Sequence, residues 1–469
     1  MKILLVQPFK DFGISGESYP PAGLGYLATA VKESGHQVSI LDCLKDNYNY
    51  KKFLQEVKKI SPDLIGISLF SISIPFVKKM ANMIKEELPD TVVVLGGPHV
   101  SSLPNKVLKN FEKVDFAVRG EGEIPLRQLV KALDSGDKNF SQIPGLIYRE
   151  NNTIRINEPY FPENIEEYGF PAWDLIKPSE YFKYLSMGPN TVPVFFSRGC
   201  PFQCTFCAAK VTSGQRLRRR GLDHIFAELH FLQREYGIKR FVIEDEGFGV
   251  TKKFIMDFCQ RIKKENFKAC FALGVGMRLD FIDQELLEAM KEAGFERTIV
   301  LGIESGSERI LKLMKKEINL DMVWEKVNLM NRMGFEPNGY FILGYPSETR
   351  EEMEKTIKLA LKLGIREASF TAFQPLPATE ATNALIVSKE LPEDYDFTLV
   401  AQNKVVYAPK GMTTEELERI RKGAILRFYL RPRTLLRYFK SFSAFMYAFK
   451  KVIAVFFKKN LVKEDQLAN

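Results

Sequence analysis

Short apolar runs, each bounded by Gly or Pro and each followed by a helical stretch, recur in two separate blocks of this 469-residue chain. That rhythm admits few folds. A strand buried on both faces reads as a near-continuous β-branched run, and parallel neighbours need a helical crossover between them. In residues 1–135 the runs are KILLVQP (2–8), QVSILD (37–42), DLIGISLF (63–70), TVVVLGG (91–97) and VDFAVRGEGE (114–123), with helices expected at 23–35, near 50–60 and at 75–88. The pattern predicts an α/β, doubly wound, Rossmann-like parallel sheet. From residue 192 the rhythm resumes in VPVFFS, KRFVIEDE, CFALGVGMR, RTIVLGIE, GYFILGYP and EASFTAFQP. Six strands with intervening helices fit a partial (β/α)6 barrel of the TIM type. Residues rich in Pro, Tyr and Asn lie between the two blocks and read as an ordered connector. The expected division is 1–140 for the sheet domain, 141–190 for the connector, 191–385 for the barrel and 386–469 for a mostly helical, basic and aromatic region.

Both architectures carry their chemistry at the carboxyl ends of strands. In the first block those ends hold Gln7, Ser68, Gly96, Gly97, His99, Gly120 and Glu121. No G-x-G-x-x-G follows the first strand, so a dinucleotide site is weakly supported. In the barrel the ends carry Glu244-Asp245-Glu246, then Arg278, Glu304, Gly344 and Gln374. Three adjacent carboxylates need a cation or solvent, so Asp245 or Glu246 is expected to face a ligand. Arg278 has the fork that pairs with a carboxylate.

Cys200, Cys204 and Cys207 follow the first barrel strand with the spacing C-x3-C-x2-C. Thiolates are the usual ligands of iron–sulfur clusters; three of them hold three irons of a cubane and leave the fourth open. A zinc site would need a fourth ligand, and the nearest candidate, His224, falls inside an expected helix. Three unrelated thiols are the remaining reading. Cys43, Cys259 and Cys270 are isolated in sequence, which fits core packing and argues against a second cluster. Six cysteines in a chain of this length make no disulfide scaffold, and a low-potential cluster wants a reducing compartment, so the cytoplasm is expected.

The segment RGCPFQCTFCA resembles the cluster motif of the radical S-adenosylmethionine (SAM) enzymes in its cysteine spacing, in Arg198-Gly199 and in Phe206. The phrases LGGPHVS and RGEGE resemble the cobalamin (B12)-dependent branch of that family, and the likeness spans roughly residues 1–440. It implies a [4Fe-4S] cluster on Cys200, Cys204 and Cys207, SAM on the open iron, and cobalamin held by the first domain. By position it implies Phe206 near the adenine end, Asp245 or Glu246 near the SAM amino group, Arg278 at the methionine carboxylate and Glu304 at the ribose. Gly344 would lie on the adenine side and Gln374 would close the last strand, while Gln7, Ser68, Gly96, Gly97, His99, Gly120 and Glu121 would contact cobalamin. The D-x-H-x-x-G signature is missing, which implies base-off binding without a protein imidazole and leaves His99 a pocket or loop-ordering residue. The implied reaction is methyl transfer: a 5′-deoxyadenosyl radical takes hydrogen from an unactivated carbon, and the substrate radical takes methyl from methylcobalamin. The same architecture also serves oxidative cyclisation or carbon–carbon bond formation without net methyl transfer. A one-electron reductant such as flavodoxin or ferredoxin is implied as a partner. A regulator that merely binds cobalamin or a cluster would not need the full set of polar strand ends.

The formal charge of +9 is concentrated in the tail. Residues 421–460 hold eleven Lys or Arg and no acidic residue, so the charge marks no nucleic-acid footprint across the body. No run approaches 18 uninterrupted apolar residues, so a spanning helix is not expected, and the apolar start lacks the features of a signal peptide. The tail segments RKGAILRFYLRPRTLLRYF and SFSAFMYAFKKVIAVFF suit a helix pair on an anionic bilayer, with a hydrophobic or small-molecule substrate. Equally, Arg431, Arg433 and Arg437 could cap the barrel, and Phe442, Phe445, Phe449 and Phe456 could pack against it. The chain is expected to act as a monomer.

Overall fold

The computed structural model describes residues 1–9, 19–183, 188–400 and 404–438. Its first sheet contains β1 (Lys2–Gln7), β2 (Gln37–Asp42), β3 (Leu64–Ser68), β4 (Val92–Gly96) and β5 (Phe116–Val118), parallel and in the order β2-β1-β3-β4-β5. The apolar runs are continuous because both faces are covered. Leu4, Val6, Ile65, Ile67 and Leu95 pack on one side against helices Tyr50–Ile60 and Ile74–Glu87. Ile3, Leu5, Leu64 and Val94 pack on the other against helices Ala22–Lys32 and Glu123–Ser135. Strand order reverses between β1 and β3, so a crevice opens where Gln7 and Ser68 end their strands.

The segment expected to be a connector begins as part of this sheet. β6 (Leu146–Glu150) pairs antiparallel with β5, and β7 (Thr153–Ile156) pairs antiparallel with β6. Asn151 and Asn152 turn the hairpin with φ of 49° and 61°, the left-handed pair that a two-residue connection requires. Composition hid these strands, because LIYRE and TIRI are short and their flanks are rich in Pro and Asn. The remainder wraps as expected. Trp173 and Tyr181 are buried in the barrel core, and the Tyr181 hydroxyl donates to Asp42 of β2 at 3.0 Å.

The barrel comprises β8 (Thr191–Val194), a small antiparallel ribbon of β9 (Ser197–Arg198) and β10 (Arg218–Arg219), then β11 (Arg240–Ile243), β12 (Cys270–Leu273), β13 (Thr298–Glu304), β14 (Glu336–Leu343) and β15 (Ala368–Ala372). β8, β11 and β12 form one parallel sheet and β13, β14 and β15 another; bridges Phe271–Phe295 and Met277–Leu301 join them into a curved, open wall. Aromatic rings pack its strands against the covering helices, with Phe258 of helix Lys252–Glu265 and Phe271 5.2 Å apart edge to face and Phe271 5.4 Å from Phe295. Helix Thr414–Tyr429 closes the β15 side, burying Leu417, Ala424 and Phe428. Arg431 donates to the carbonyls of Ala360, Leu361 and Ile365 and lies 3.7 Å over the Phe428 ring, so this part of the basic tail belongs to the barrel. Residues 439–469, including Lys450, Lys451 and the phenylalanines read as a membrane or core face, lie outside the described residues. Among the described residues no helix is long and apolar enough to cross a membrane.

A buried ion pair ties the connector to the barrel. Glu228 accepts from the Trp173 indole at 2.9 Å and from Arg220 at 2.6 Å, and both partners of the ion pair are 2% exposed. Removing one partner strands a charge away from water. Glu228→Ala is therefore expected to cost about 3–5 kcal/mol, read as a lower denaturant midpoint. A midpoint shift worth under about 0.5 kcal/mol, the scale of a surface change, would contradict this role.

Candidate active site

The cysteine loop leaves β9 through Gly199, whose φ of +88° and neighbours require glycine: a Cβ there would lie 2.3 Å from the Arg216 carbonyl oxygen. The Cys200 N–H donates to the Gly214 carbonyl at 3.2 Å, and the Cys207 N–H to Cys204 at 3.2 Å. Thr205 anchors the loop to the far side of the barrel, its N–H on the Met314 carbonyl at 3.1 Å and its hydroxyl 2.7 Å from that of Tyr345. All three thiols are free and partly buried. Burial raises their pKa values, each acts on another as a neighbouring charge, and Arg278 and Lys316 are the opposing cations. Among the described residues no three His, Cys, Asp or Glu side chains converge to hold a single ion. A cluster asks for something else, because each thiolate binds a different iron around a larger body. Three sheltered thiols with two cations beside them fit that demand.

The three carboxylates after β11 fan apart. Glu244 is partly buried, and its carboxylate lies where Gly274 leaves room: a Cβ there would be 2.3 Å from Oε1. Asp245, expected to face a ligand, instead turns inward. Its oxygens accept from the Phe196 N–H and the Ser197 hydroxyl, each at 2.7 Å, and it is 3% exposed. Burial, offset by those two bonds, pushes its pKa up to about 7. It positions the start of the cysteine loop. Glu246 alone is exposed; it accepts from the Ser213 hydroxyl at 2.8 Å and lines the large cavity described below.

Arg278 lies beside the cysteine loop with its fork already engaged. It donates to both oxygens of Asp280 at 2.9–3.1 Å and stacks 3.4 Å from the centre of the Phe202 ring, so it braces the loop as well as facing it. Glu304 ends β13 at a register shift with a left-handed φ of 64°, and accepts from Lys316 at 2.9 Å. Lys316, which sequence reasoning missed, is partly buried; desolvation alone would lower its pKa, but Glu304 and Cys204 raise it. Phe206 packs against the cluster formed by Ile310, Met314, Tyr345 and Phe373.

At the later strand ends the protein itself takes up the polar groups. Gly344 does not offer a free backbone donor, because its N–H is taken by Glu348 at 2.6 Å, and its Cβ direction meets Leu417 at 2.4 Å. Glu348 also caps Tyr345 at 3.1 Å; its burial pushes its pKa up to about 8 and leaves Oε1 without a partner. Gln374 donates to the Lys404 carbonyl at 2.8 Å and pins a neighbouring segment of chain.

The sheet and the barrel face each other across one cavity of about 420 Å³. Gln7, Ser68, Gly96, Gly97, Gly120 and Glu121 all line it, joined from the barrel by Ser197, Arg198, Ser213 and Glu246. Its apolar lining includes Leu5, Gly66, Val94 and Leu126. A Cβ at Gly66 or Gly122 would lie 2.9 Å from a leucine, so these glycines keep that wall open. His99 is not among the lining residues. It is 4% exposed and hydrogen-bonded through Nδ1 to the Ser71 hydroxyl at 2.9 Å; burial drops its pKa to about 4 and keeps it neutral. Its bond to Ser71 orders the loop after β3.

Asp245 gives a pH test. Its folded pKa lies above the ordinary value near 3.8, so its contribution to stability is full below that value and is lost as pH rises through about 7. Denaturant midpoints of the wild type should therefore fall, relative to those of Asp245→Asn, between about pH 4 and pH 7. Parallel curves across that window would show that Asp245 is not held as described.

The family model for the B12 binding domain matches residues 14–130, and that for the radical SAM superfamily matches residues 194–360. An uncharacterised methyltransferase of Pyrococcus horikoshii is 35% identical, over 93% of this chain and 94% of that protein. The anaerobic magnesium-protoporphyrin IX monomethyl ester cyclase of Cereibacter sphaeroides is 27% identical over 92% of this chain and 71% of the cyclase. Among solved structures, the radical SAM methyltransferase TsrM of Kitasatospora setae, with cobalamin and a [4Fe-4S] cluster bound, superposes with a TM-score of 0.74 at 18% identity, covering 92% of this chain and 89% of TsrM. The two matched models fall on the two units whose strand ends share the cavity, and this chain belongs to the cobalamin-dependent radical SAM enzymes.

Proposed function

We propose that this enzyme transfers a methyl group to an unactivated carbon, and that the cavity between sheet and barrel is where its cofactors meet the substrate. When bound, the cluster with SAM supplies a carbon-centred adenosyl radical that takes hydrogen from the substrate, and cobalamin supplies the methyl group. The protein's own residues hold and orient. Cys200, Cys204 and Cys207 would ligate the cluster, with Arg278 and Lys316 offsetting its negative charge. Glu304, held by Lys316 in a left-handed conformation, would accept from the SAM ribose, and Glu246 would face the SAM amino group or the substrate. Gln7, Ser68 and the glycines that line the cavity would carry the cobalamin. Gly66, Gly96 and Gly97 bring backbone close without bulk. Residues 1 to about 157 then act as the cobalamin unit, because the β6–β7 hairpin extends its sheet. An external one-electron donor of the flavodoxin or ferredoxin kind would reduce the cluster.

One observation carries the reading: the sheet's strand ends and, from the barrel, Glu246 with Ser197 and Arg198 just before the cysteine loop line a single cavity, which a pair of independent binding modules would not need. A second reading, cyclisation or carbon–carbon bond formation without methyl transfer, is favoured by the 27% identity with the cyclase. Anaerobic incubation of the reconstituted enzyme with methyl-deuterated SAM, a reductant and candidate extracts, followed by mass spectrometry, separates them. The expected product carries the labelled methyl and is absent with Cys204→Ala. An unlabelled product lighter by hydrogen atoms, formed only with intact enzyme, would overturn methyl transfer in favour of the second reading.

A further inference from the structure

Two arginines of the barrel meet two glutamates of the sheet domain beside the cavity, away from water. Arg198 ends β9, two residues before Cys200, and its side chain is 16% exposed. It donates to Glu123 at 2.7 Å, lies 3.6 Å from Glu121, and is sandwiched between Tyr26 and Tyr168, whose ring centres are 4.9 and 4.7 Å away. Glu121 is fixed in turn. Arg218, the β10 partner of Arg198, donates to both its oxygens at 2.7 and 2.9 Å, and the Tyr168 hydroxyl donates at 2.7 Å. Arg218 also donates to the Ser213 carbonyl, and the Ser213 hydroxyl holds Glu246. An unbroken polar chain thus runs from the start of helix Glu123–Ser135, through Arg198, to the cysteine loop.

Buried ion pairs are a poor source of net stability, because desolvation opposes attraction. Their distinctive property is geometry: a planar fork, sandwiched between rings and facing fixed carboxylates, tolerates a single register. The registered parts here are the unit that takes cobalamin and the loop that takes the cluster. On the two-cofactor reading above, we propose that Arg198, with Glu121 and Glu123, is a positioning residue that fixes the separation between cobalt and cluster. It lines the cavity and acts on the cluster loop through Gly199-Cys200. The requirement is steep, because a misplacement of about 1 Å can cost on the order of a hundredfold in rate.

The test uses anaerobically loaded full-length enzyme with cobalamin in its cobalt(II) form and the cluster reduced. Pulsed EPR then reads the cobalt–cluster distance distribution, which needs no substrate. Wild type should give one narrow distance. Arg198→Lys keeps the charge but loses the fork, and is expected to broaden or shift that distance at unchanged iron and cobalamin content. Glu123→Gln changes the other domain and leaves every atom of the cysteine loop in place; it should do the same, and it decides the matter if Arg198→Lys fails to load. A wild-type distance distribution in a loaded Glu123→Gln variant would overturn the proposal. So would a loaded Arg198→Lys variant that keeps the wild-type distance but binds cobalamin more weakly, which would make Arg198 a cofactor ligand.

Discussion

Parallel strands covered on both faces leave only their ends for polar groups, and this constraint shapes the whole molecule. In the sheet domain the carboxyl ends present Gln7, Ser68 and four glycines; in the barrel they present carboxylates, Arg278 and the cysteine loop. Neither wall is complete alone. The sheet's ends, set against Ser197, Arg198, Ser213 and Glu246 of the barrel, bound one cavity, and the Arg198–Glu123 and Arg218–Glu121 pairs join the two units beside it.

Much of the charge near the site is spent on shape. Asp245 draws the chain after β8 onto the end of β11, and Glu348 caps two backbone N–H groups at the end of β14. Both carboxyls are pushed upward in pKa by burial, to about 7 and about 8, so each helps the fold most in its protonated form. Glu246 stays exposed at the cavity, and Glu304 is paired with Lys316. Glu304 sits in a backbone conformation that non-glycine residues rarely adopt, a cost that surrounding contacts must hold in place.

The strand–helix rhythm made both units legible in the sequence, because runs such as TVVVLG and RFVI are apolar on both faces and end in glycine or acid. The cysteine triplet and the strand-end residues of the cavity were legible for the same reason. What the sequence concealed depends on pairing across the chain. The β6–β7 hairpin is visible only once β5 offers an edge, and Lys316 lies in a plain KLMKKE helix end until Glu304 comes within 2.9 Å. Asp245 and Gly344 were misjudged on the same principle. A polar residue at a strand end faces either the cavity or the adjoining loop, and only the positions of the Phe196 N–H, Ser197, Glu348 and Leu417 decide which.

On the proposed function, one cavity bounded by the two units takes the cobalamin. Gly96 lines it, and a Cβ there would meet nothing nearer than 4.0 Å, so a phenylalanine can enter the cavity without displacing backbone. Equilibrium binding of hydroxocobalamin to anaerobic, cluster-loaded wild type and Gly96→Phe is the most direct measurement. The account predicts one cobalamin per wild-type chain and none in the variant, with the same iron content and SAM cleavage in both. Equal cobalamin binding in the variant, or none in wild type, would contradict it.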